Sequence, residues 1–482
     1  MVRINSTILP QGWIISTLGD VSDKPQYGWT TKANPQGGKI RLLRTTDITS
    51  GKVEWSKVPF CTDEPEDIEK YLLKSGDILI SRAGSVGASY LVPKDVDDAV
   101  FASYLIRFRA KGPTNRKYVY YYLKSPDYWG AIGAYKSGIA VPNVNASKLA
   151  QIPIPIAPIT EQKRIVGEIE KQFSRLDEAI AGLKRAKANL KRYKAAVLKA
   201  AVEGKLTEQW RKKHPDVEPA SKLLERILTE RRKKWEKTEL TKMKSVGKKP
   251  TDDKWKAKYA EPVSANSNKL PGLEKGWRWA TMDQLSTKIT DGEHLSPKAQ
   301  HSGIPLLSAK DVRDSGVSFE DAKYVSSHDA EKFRNRCDPE KNDILIVSRG
   351  ATIGRACKVD TDRIFCLMGS VILVKGDRRL NSSYLLAALK SVSSHKRLLS
   401  VSGSTAQQAI YIRDIRTLPI PLPPLIEQQT ISDELDATLS TAHEIESIIE
   451  ANLKRAIRLR QSILKKAFSG RLVPQIKRQS PN

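Results

Sequence analysis

Two glycine loops, each preceded by an apolar run and an arginine, are the first places in this sequence where chemistry could occur. The first loop is Arg82-Ala-Gly-Ser-Val-Gly87. The second, Arg349-Gly-Ala-Thr-Ile-Gly354, corresponds to it if one residue is inserted before Arg349. Glycine lets a backbone approach a ligand closely, and an arginine can bind phosphate or the edge of a guanine base. The alternative is a tight turn that the fold requires, with an arginine that is merely exposed. One Gly-x-x-Gly is a weak signal, and its recurrence strengthens the ligand interpretation modestly.

Two further pairs of polar segments could contact a nucleic acid. The segments 135–143 and 400–408 are rich in small polar residues, and 44–47 and 308–311 each follow an apolar run. Glutamine can pair with adenine in the major groove and hydroxyls can bind phosphate, although all four segments could also be ordinary polar loops or turns. The DNA-contact candidates are therefore Arg44, Thr45, Arg82, Ser85, Lys136, Ser137, Asn143, Lys310, Arg349, Thr352, Ser404, Thr405, Gln407 and Gln408.

The motifs of common catalytic sites are missing from the sequence. It contains no phosphate-binding Gly-x-x-x-x-Gly-Lys-Ser/Thr and no Gly-x-Gly-x-x-Gly. The Asn/Asp-Pro-Pro-aromatic loop of amino-methylating enzymes is absent too, since Pro423-Pro424 is followed by leucine. The acidic pairs Glu66-Asp67 and Asp252-Asp253 are better interpreted as solvated surface charge than as nuclease carboxylates. Four scattered cysteines form no Cys-x-x-Cys pair. The sequence predicts a chain without a catalytic site, a metal or a cofactor.

A proline-rich segment written twice organises the chain. Ile152-Pro-Ile-Pro-Ile-Ala-Pro-Ile-Thr-Glu-Gln162 returns as Leu418-Pro-Ile-Pro-Leu-Pro-Pro-Leu-Ile-Glu-Gln428, 266 positions later. Proline has no N–H and disfavours the α conformation in the preceding residue, so each segment must be extended and a helix can begin only after it. Glu161 and Glu427 then fall in the first turn, where a carboxylate offsets the positive end of the helix dipole.

Each proline segment leads into a long amphipathic run. Apolar residues recur in steps of three and four from Ile169 to Val197 and from Ile431 to Ala467, a heptad pattern typical of coiled coils. Gly204 and Gly470 are in the position of C-terminal helix caps. A helix over 160–203 would be roughly 66 Å long, and its apolar stripe needs a partner. We expect the duplicate helix to be that partner in an antiparallel coiled coil, with the two globular domains at opposite ends of a rod. The heptads could also serve this packing alone, without a partner protein.

The regions before the proline segments predict two strand-rich mixed α/β domains. The apolar run Asp77-Ile-Leu-Ile80 recurs as Asp343-Ile-Leu-Ile346. Short helices are expected at 116–123 and 382–389. Similarity is kept in this framework and lost between its landmarks. The insertion 208–270 has no counterpart in the second half; its residues 220–240 read as a helix, and 242–258 is expected to be mobile.

Composition favours a polyanionic partner. The 482 residues, enough for about three domains, carry a net charge of +28. A chain this basic usually binds nucleic acid or an anionic membrane, and the membrane interpretation is weak because no apolar run of 18 residues or signal peptide is present. Cysteine usage suggests a reducing cytosol.

The chain resembles the specificity subunits of type I restriction–modification enzymes. The resemblance rests on the repeated proline segment with Glu-Gln, the Asp-Ile-Leu-Ile…Arg…Gly motif and the two long helices. The region from Trp210 to Trp235 is similar to the extended centre of one branch of that family. The resemblance implies two target recognition domains that each read half of an asymmetric DNA site. It also implies helices that set the spacing and bind two modification subunits. Those subunits carry S-adenosylmethionine and methylate adenine, and restriction subunits add ATP-driven translocation and cleavage.

The sequence thus predicts an α+β fold with two pseudo-symmetric recognition domains and an antiparallel coiled coil. Expected partners are double-stranded DNA, two modification subunits and, through them, restriction subunits, with no membrane and a cytoplasmic location in a bacterium or archaeon. The alternatives are a self-sufficient nuclease or methyltransferase with an unfamiliar site, and an architectural coiled-coil protein that binds nucleic acid without sequence specificity. Residues assigned to partner-binding or structural helices are Glu161, Gln162, Glu427 and Gln428. The expected domains are 1–158, 159–207, 208–270, 271–424, 425–473 and the tail 474–482.

Overall fold

The structure is a computed structural model that divides into two compact units. Unit 1 comprises Met1–Ala186 and Ile448–Asn482, and unit 2 comprises Lys187–Ser447. The structure describes residues 3–4, 7–96, 98–136, 143–247, 250, 252–294, 297–298, 300–401 and 408–475. Within these ranges it describes the backbone but not the side chain of residues 3, 4, 7, 8, 136, 269 and 401. No helix in these ranges is long and apolar enough to cross a membrane.

Unit 1 is strand-rich, with short helices between the strands. Its strands are β1 Arg3–Ile4, β2 Thr7–Ile8, β3 Ile14–Thr17, β4 Gln26–Tyr27, β5 Ala33–Asn34, β6 Arg41–Leu43, β7 Phe60–Cys61, β8 Ile78–Ser81, β9 Ser89–Leu91, β10 Ala99–Phe101, β11 Leu105–Phe108 and β12 Pro153–Ile156. Its helices are α1 Thr45–Ile48, α2 Ile68–Tyr71, α3 Arg116–Tyr122, α4 Pro126–Lys136, α5 Ala146–Ala150 and the first part of α6 Ile159–Val202. A short 3₁₀ helix spans Trp55–Lys57.

Two four-stranded sheets form the body of unit 1. One is antiparallel in the order β4-β11-β8-β9, and the other, in the order β10-β6-β7-β5, has a parallel pair at β10 and β6. Strands β8 and β11 are buried along their whole length, which explains why their residues are apolar apart from Ser81 and Arg107. A third ladder joins β12 to β3.

Unit 2 adds an insertion to a similar set of elements. Its strands are β13 Arg278–Thr281, β14 Ser286–Asp291, β15 Ile304–Leu307, β16 Val312–Arg313, β17 Gly316–Val317, β18 Lys323–Val325, β19 Ile344–Val347, β20 Ala356–Lys358, β21 Cys366–Leu367, β22 Val371–Gly376 and β23 Pro419–Leu422. Its helices are α7 Glu208–Lys213, α8 Ala220–Ser245, α9 Met282–Leu285, α10 Ser327–Arg336, α11 Ser382–Lys390, α12 Val392–Val401, α13 Ile412–Arg416 and the first part of α14 Leu425–Phe468. Three 3₁₀ helices span Lys254–Lys258, Ser267–Lys269 and Ala309–Asp311.

The sheets of unit 2 repeat those of unit 1. The antiparallel order β14-β22-β19-β20 corresponds to β4-β11-β8-β9. In a second sheet, β15 pairs antiparallel with β18 and parallel with β21, as β6 does with β7 and β10. The ladder of β13 with β23 corresponds to that of β3 with β12. The predicted duplication and the α+β class are confirmed.

The repeated proline segments form edge strands in which proline alternates with an apolar residue. In β12, the carbonyls of Pro153 and Pro155 point away from β3. They accept hydrogen bonds from the hydroxyls of Tyr122 and Tyr118, respectively. The carbonyl of Ile152 accepts instead from Leu18 next to β3, at 2.9 Å. A proline is tolerated where its missing N–H would have no ladder partner. The expected extended conformation is confirmed, and it belongs to a ladder in each unit.

The long helices run antiparallel within each unit. In unit 1, Arg164 of α6 donates to the carbonyl of Pro474 at 3.1 Å, and Arg460 of α14 pairs with Asp177. In unit 2, Lys194 of α6 lies 2.6 Å from Glu446 of α14. Each helix has 44 residues.

Both helices end as the sequence predicted. Gly204 and Gly470 follow with φ of +73° and +70°. This left-handed conformation is open to glycine without strain, so the last carbonyls can be capped and the chain can turn.

The segment 242–258, for which we expect mobility, is helical at both of its ends in the described part. Helix α8 continues to Ser245, and 254–258 forms a 3₁₀ helix. Trp255 is buried, and its ring stacks on Trp235 with centroids 6.0 Å apart. The basic composition of the segment concealed this aromatic contact, which attaches it to the helix.

All four cysteines are buried and unpaired. Burial raises the pKa of Cys61 and Cys366 to about 11 and the pKa of Cys337 and Cys357 to about 12. Because the thiolate is the reactive form, these thiols are inert packing groups at neutral pH.

Candidate nucleic-acid interface

The Glu-Gln pair of each proline segment fixes the framework that carries the candidate loops. Glu161 accepts a hydrogen bond from the indole of Trp13 at 3.1 Å. Gln162 accepts from the backbone of Asn115, which caps α3, and donates to the carbonyl of Ala157. Glu427 and Gln428 make the same contacts with the indole of Trp277, the backbone of Asn381 and the carbonyl of Pro423. All four side chains are buried, so their described contacts lie inside their own units.

In unit 1, Arg82 follows β8 and contacts residues of three other segments of the chain. Its Nε donates to Oδ1 of Asn143 at 3.3 Å, and its guanidinium carbon lies 5.0 Å from the ring centroid of Tyr27. Its carbonyl accepts from the backbone of Val144 at 3.0 Å. A guanidinium has five N–H donors, so most remain available to a ligand. The structure thus brings two predicted residues, Arg82 and Asn143, onto one partly exposed surface.

Thr45 and Ser85 lie at the same edge, whereas Arg44 is engaged in its own turn. The Oγ1 of Thr45 is 3.3 Å from Oγ of Ser81, the last residue of β8. Ser85 is half-buried in the glycine loop. Arg44 donates twice to Asp47, at 3.0 and 2.8 Å, and this hydrogen bonding raises the pKa of Arg44. Arg44 therefore helps to close the turn after β6.

In unit 2, Arg349 lies in a cleft of about 280 Å³. Its side chain is exposed, and its guanidinium has no hydrogen-bond or ion-pair partner in the described part of the chain. Tyr411 and Arg413 line the same cleft, with the Arg413 guanidinium carbon 5.1 Å from the Tyr411 ring centroid. Asp291 in the cleft is already bound by His294 and Arg336. Two cations beside an aromatic face suit phosphate and base edges.

The structure corrects the sequence pairing of Arg82 with Arg349. The bridge between Ala83 and Asn143 corresponds to the bridge between Arg349 and Ala409. Ser348 therefore stands where unit 1 has Arg82, and its carbonyl accepts from Ile410 at 2.9 Å. Buried strands fix their register, so the extra residue is accommodated in the exposed loop between Gly350 and Gly354. The two units therefore carry different side chains at matching positions, and in unit 2 both Ser348 and Ala409 are buried.

The other candidates are more dispersed. Lys310 is exposed and donates to the carbonyl of Asp321 at 2.7 Å. Thr352 is half-buried in its turn, and Gln408 is exposed beside Ala409, the residue bridged to Arg349. Four candidates lie outside the described residues: Ser137, Ser404, Thr405 and Gln407. For Lys136, the structure describes the backbone but not the side chain.

Sequence reasoning missed the aromatic residues of these surfaces. Tyr27 and Tyr411 are 38% and 47% exposed, and Tyr104, whose carbonyl accepts from the Arg82 backbone, is 61% exposed. Arg413 was missed as well. The only available signal was position, because Tyr411 and Arg413 follow the polar segment that ends at Gln408. No group of three metal-binding side chains occurs among the described residues.

A family model described as the type I restriction modification DNA specificity domain matches residues 10–192 and 285–455. The chain belongs to this family. The two matched stretches start in different units, which agrees with the duplicated framework. The specificity subunits of this family therefore provide the comparison for the whole chain.

Curated relatives extend over nearly the full length. The EcoKI specificity subunit of Escherichia coli K12 is 24% identical, with 98% of this chain and 92% of that protein covered. The StySPI specificity subunit of Salmonella potsdam is also 24% identical, with 99% and 93% covered.

Solved structures agree in fold. A chain from a structure concerning complex assembly and conformational transition of the type I R-M system has a TM-score of 0.66 at 20% identity, covering 96% of this chain and 100% of that one. The HsdS subunit of Thermoanaerobacter tengcongensis has a TM-score of 0.52 at 19% identity, covering 97% and 99%. At these identities the likeness concerns the fold of a specificity subunit.

Proposed function

We propose that this specificity subunit is the non-catalytic DNA-recognition component of a type I restriction–modification complex. Residues 1–158 and 271–424 would each read one half of an asymmetric, bipartite DNA target. The observation that carries the proposal is a framework built twice with different side chains at its matching positions. Unit 1 presents Arg82 and Asn143 where unit 2 has the buried Ser348 and Ala409, whereas unit 2 exposes Arg349 where unit 1 has Ala83. Unlike half-sites require unlike reading surfaces on a common frame.

The side chains on these surfaces can do the reading. Arginine donates two parallel hydrogen bonds to guanine in the major groove, and asparagine pairs with adenine, each worth about 1–3 kcal/mol of discrimination. Arg82 and Asn143 offer both types together in unit 1, while Arg349 and Arg413 favour guanine in unit 2. The net charge of +28 supplies attraction to phosphates that carries no sequence information.

The long helices would set the spacer between half-sites and bind two modification subunits. Large apolar side chains remain exposed on α14, at Ile448 and Leu459 on one side of the helix in unit 1 and at Ile426 and Ile445 in unit 2. Exposed apolar residues along a helix are typical of a surface that another helix covers. The modification subunits would supply S-adenosylmethionine and adenine methylation, and restriction subunits would join through them.

Exchanging residues 1–158 for the corresponding region of another family member should change one half of the target only. Each domain has its own sheets and core, so the second reading surface stays intact. The measurement is methylome sequencing of cells that express the chimera with its modification subunits. The matched control exchanges 271–424 and should change the other half. If either exchange alters both halves, the domains do not read independently.

Inserting one heptad into both α6 and α14, after Ala186 and after Ser447, should lengthen the spacer by about three base pairs. Seven residues add about 10 Å and keep the apolar seam in register. Methylome sequencing would report the spacer, and both half-sites should be unchanged. Inserting the heptad into α6 alone is the control, because it shifts one helix against the other and should abolish methylation. An unchanged spacer in the double insertion would contradict the measuring role of the helices.

A further inference from the structure

Helix α8, in the insertion of unit 2, carries a row of cations along one side. We call Lys222, Arg226, Lys233, Lys237 and Lys244 the basic stripe. At 3.6 residues per turn these positions fall within a sector of about 60° and extend over roughly 33 Å. All five side chains are exposed. The stripe therefore presents a straight line of positive charge to solvent.

Other faces of α8 hold the helix firmly on unit 2. Leu223, Leu224 and Ile227 are buried in the core of that unit. Arg231 donates to the carbonyls of Asp283 and Ser286, and Trp235 stacks on Trp255. These contacts fix the rotation of the helix, so the basic stripe has a defined direction.

Three members of the basic stripe have free charges. Within the described residues, the ammonium groups of Lys233, Lys237 and Lys244 have no carboxylate or hydrogen-bond partner, whereas Lys222 and Arg226 pair with the exposed carboxylates of Glu225 and Glu218. Like charges four residues apart, such as Lys233 and Lys237, destabilise a helix by a few tenths of a kcal/mol. Lys244 lies in the last turn of α8, where a cation offsets the helix dipole, but the pair of Lys233 and Lys237 stabilises neither the core nor the helix. A polyanionic ligand would explain that pair.

We propose that the basic stripe binds the phosphate backbone of duplex DNA without reading its sequence. Its length is close to one helical turn of the duplex, about 34 Å. The proposal rests on this chain binding DNA, and it adds a contact outside the two reading surfaces. An anionic membrane is the poorer ligand, because a helix that lies on a membrane inserts its apolar face and the apolar face of α8 already packs on unit 2. The insertion would thus raise affinity for any DNA and leave the choice of sequence to the reading surfaces.

The test replaces all three free lysines, Lys233, Lys237 and Lys244, with glutamine in the full chain assembled with its modification subunits. Dissociation constants for a target duplex and a non-target duplex are measured over a range of NaCl concentrations by fluorescence anisotropy. Each lost phosphate contact lowers the slope of log K against log salt by about 0.9, so we expect a total decrease of about 2–3. Both duplexes should weaken by the same factor, about tenfold or more, and the methylated sequence should stay the same.

The control removes the same charge from outside the stripe by replacing Lys242, Lys254 and Lys258 with glutamine, and its slope should change much less. Replacing the three stripe lysines with arginine should keep the slope, which separates a charge effect from a folding effect. The proposal is overturned if the glutamine variant keeps the wild-type slope or weakens only the target duplex. It is equally overturned if that variant loses only assembly with the modification subunits, or only binding to phosphatidylserine vesicles. If the wild-type complex shows no sequence preference, the proposed function fails while the salt slopes still test the stripe.

Discussion

Replacing Glu427 with alanine is expected to destabilise unit 2 by about 3–5 kcal/mol, the usual result of removing one partner of a buried ion pair. The carboxylate is fully buried. One oxygen accepts from Thr207 and Arg211, each at 2.6 Å, and the other accepts from the indole of Trp277 at 2.8 Å. The substitution leaves the Arg211 guanidinium, itself only 13% exposed, with Glu274 as its remaining carboxylate.

The corresponding residue of unit 1 provides the matched comparison. Glu161 accepts from Trp13 at 3.1 Å and from Gln475 at 2.8 Å, and both donors are neutral. Replacing Glu161 with alanine should cost about 1–3 kcal/mol, because it leaves unsatisfied neutral donors and no buried cation. Urea unfolding would measure both losses, and hydrogen exchange would assign each loss to its unit. A larger loss for Glu161→Ala than for Glu427→Ala would contradict the assignment of the effect to Arg211.

Replacing Asp77 with alanine should destabilise unit 1 by a similar amount, about 3–5 kcal/mol. Asp77 is 2% exposed, and its carboxylate lies 2.5 Å from Arg109 and 3.5 Å from Arg107, which is 4% exposed. It also accepts from the backbone of Lys74 at 3.0 Å. Burial lowers the pKa of Arg107, the proximity of Arg109 adds to this, and Asp77 opposes both. Without Asp77, a buried cation faces a second cation with no counter-charge.

Two variants test this explanation by urea unfolding. Replacing Arg107 with methionine in the Asp77→Ala background should recover much of the lost stability, since no buried cation would remain. In unit 2 the equivalent Asp343 binds Lys375, which also pairs with Asp338 and Glu340. Asp343→Ala should therefore cost less than Asp77→Ala. Equal losses in the two units would show that the buried guanidinium is not the source of the effect.

The sequence predicted the framework well because the framework depends on local, repeated rules. Proline forced the extended segments, and glycine with positive φ at Gly204 and Gly470 ended the long helices. Continuous apolar runs gave the buried strands β8 and β19. Each of these features needs only a few neighbouring residues, and each occurs twice.

The candidate interface was harder to predict because its residues meet only through tertiary contacts. Arg82 approaches Tyr27 and Asn143 from distant segments, and nothing in the sequence links Tyr411 to Arg349. The pairing of Arg82 with Arg349 failed because sequence alignment placed the extra residue before the arginine, whereas the structure places it in the loop. The contact of Trp235 with Trp255 was hidden in a run of charged residues.

The alternating prolines of β12 and β23 have a consequence for how this chain behaves during synthesis. A protein that contains a similar proline-rich strand twice is at risk of edge-to-edge strand pairing, either between its own halves or between molecules that are still incomplete. An open strand edge recruits another strand through its free N–H groups. At Pro153 and Pro155, and again at Pro419 and Pro421, those groups do not exist on the edge that faces away from the partner strand, so a further strand cannot pair with β12 or β23 on that side.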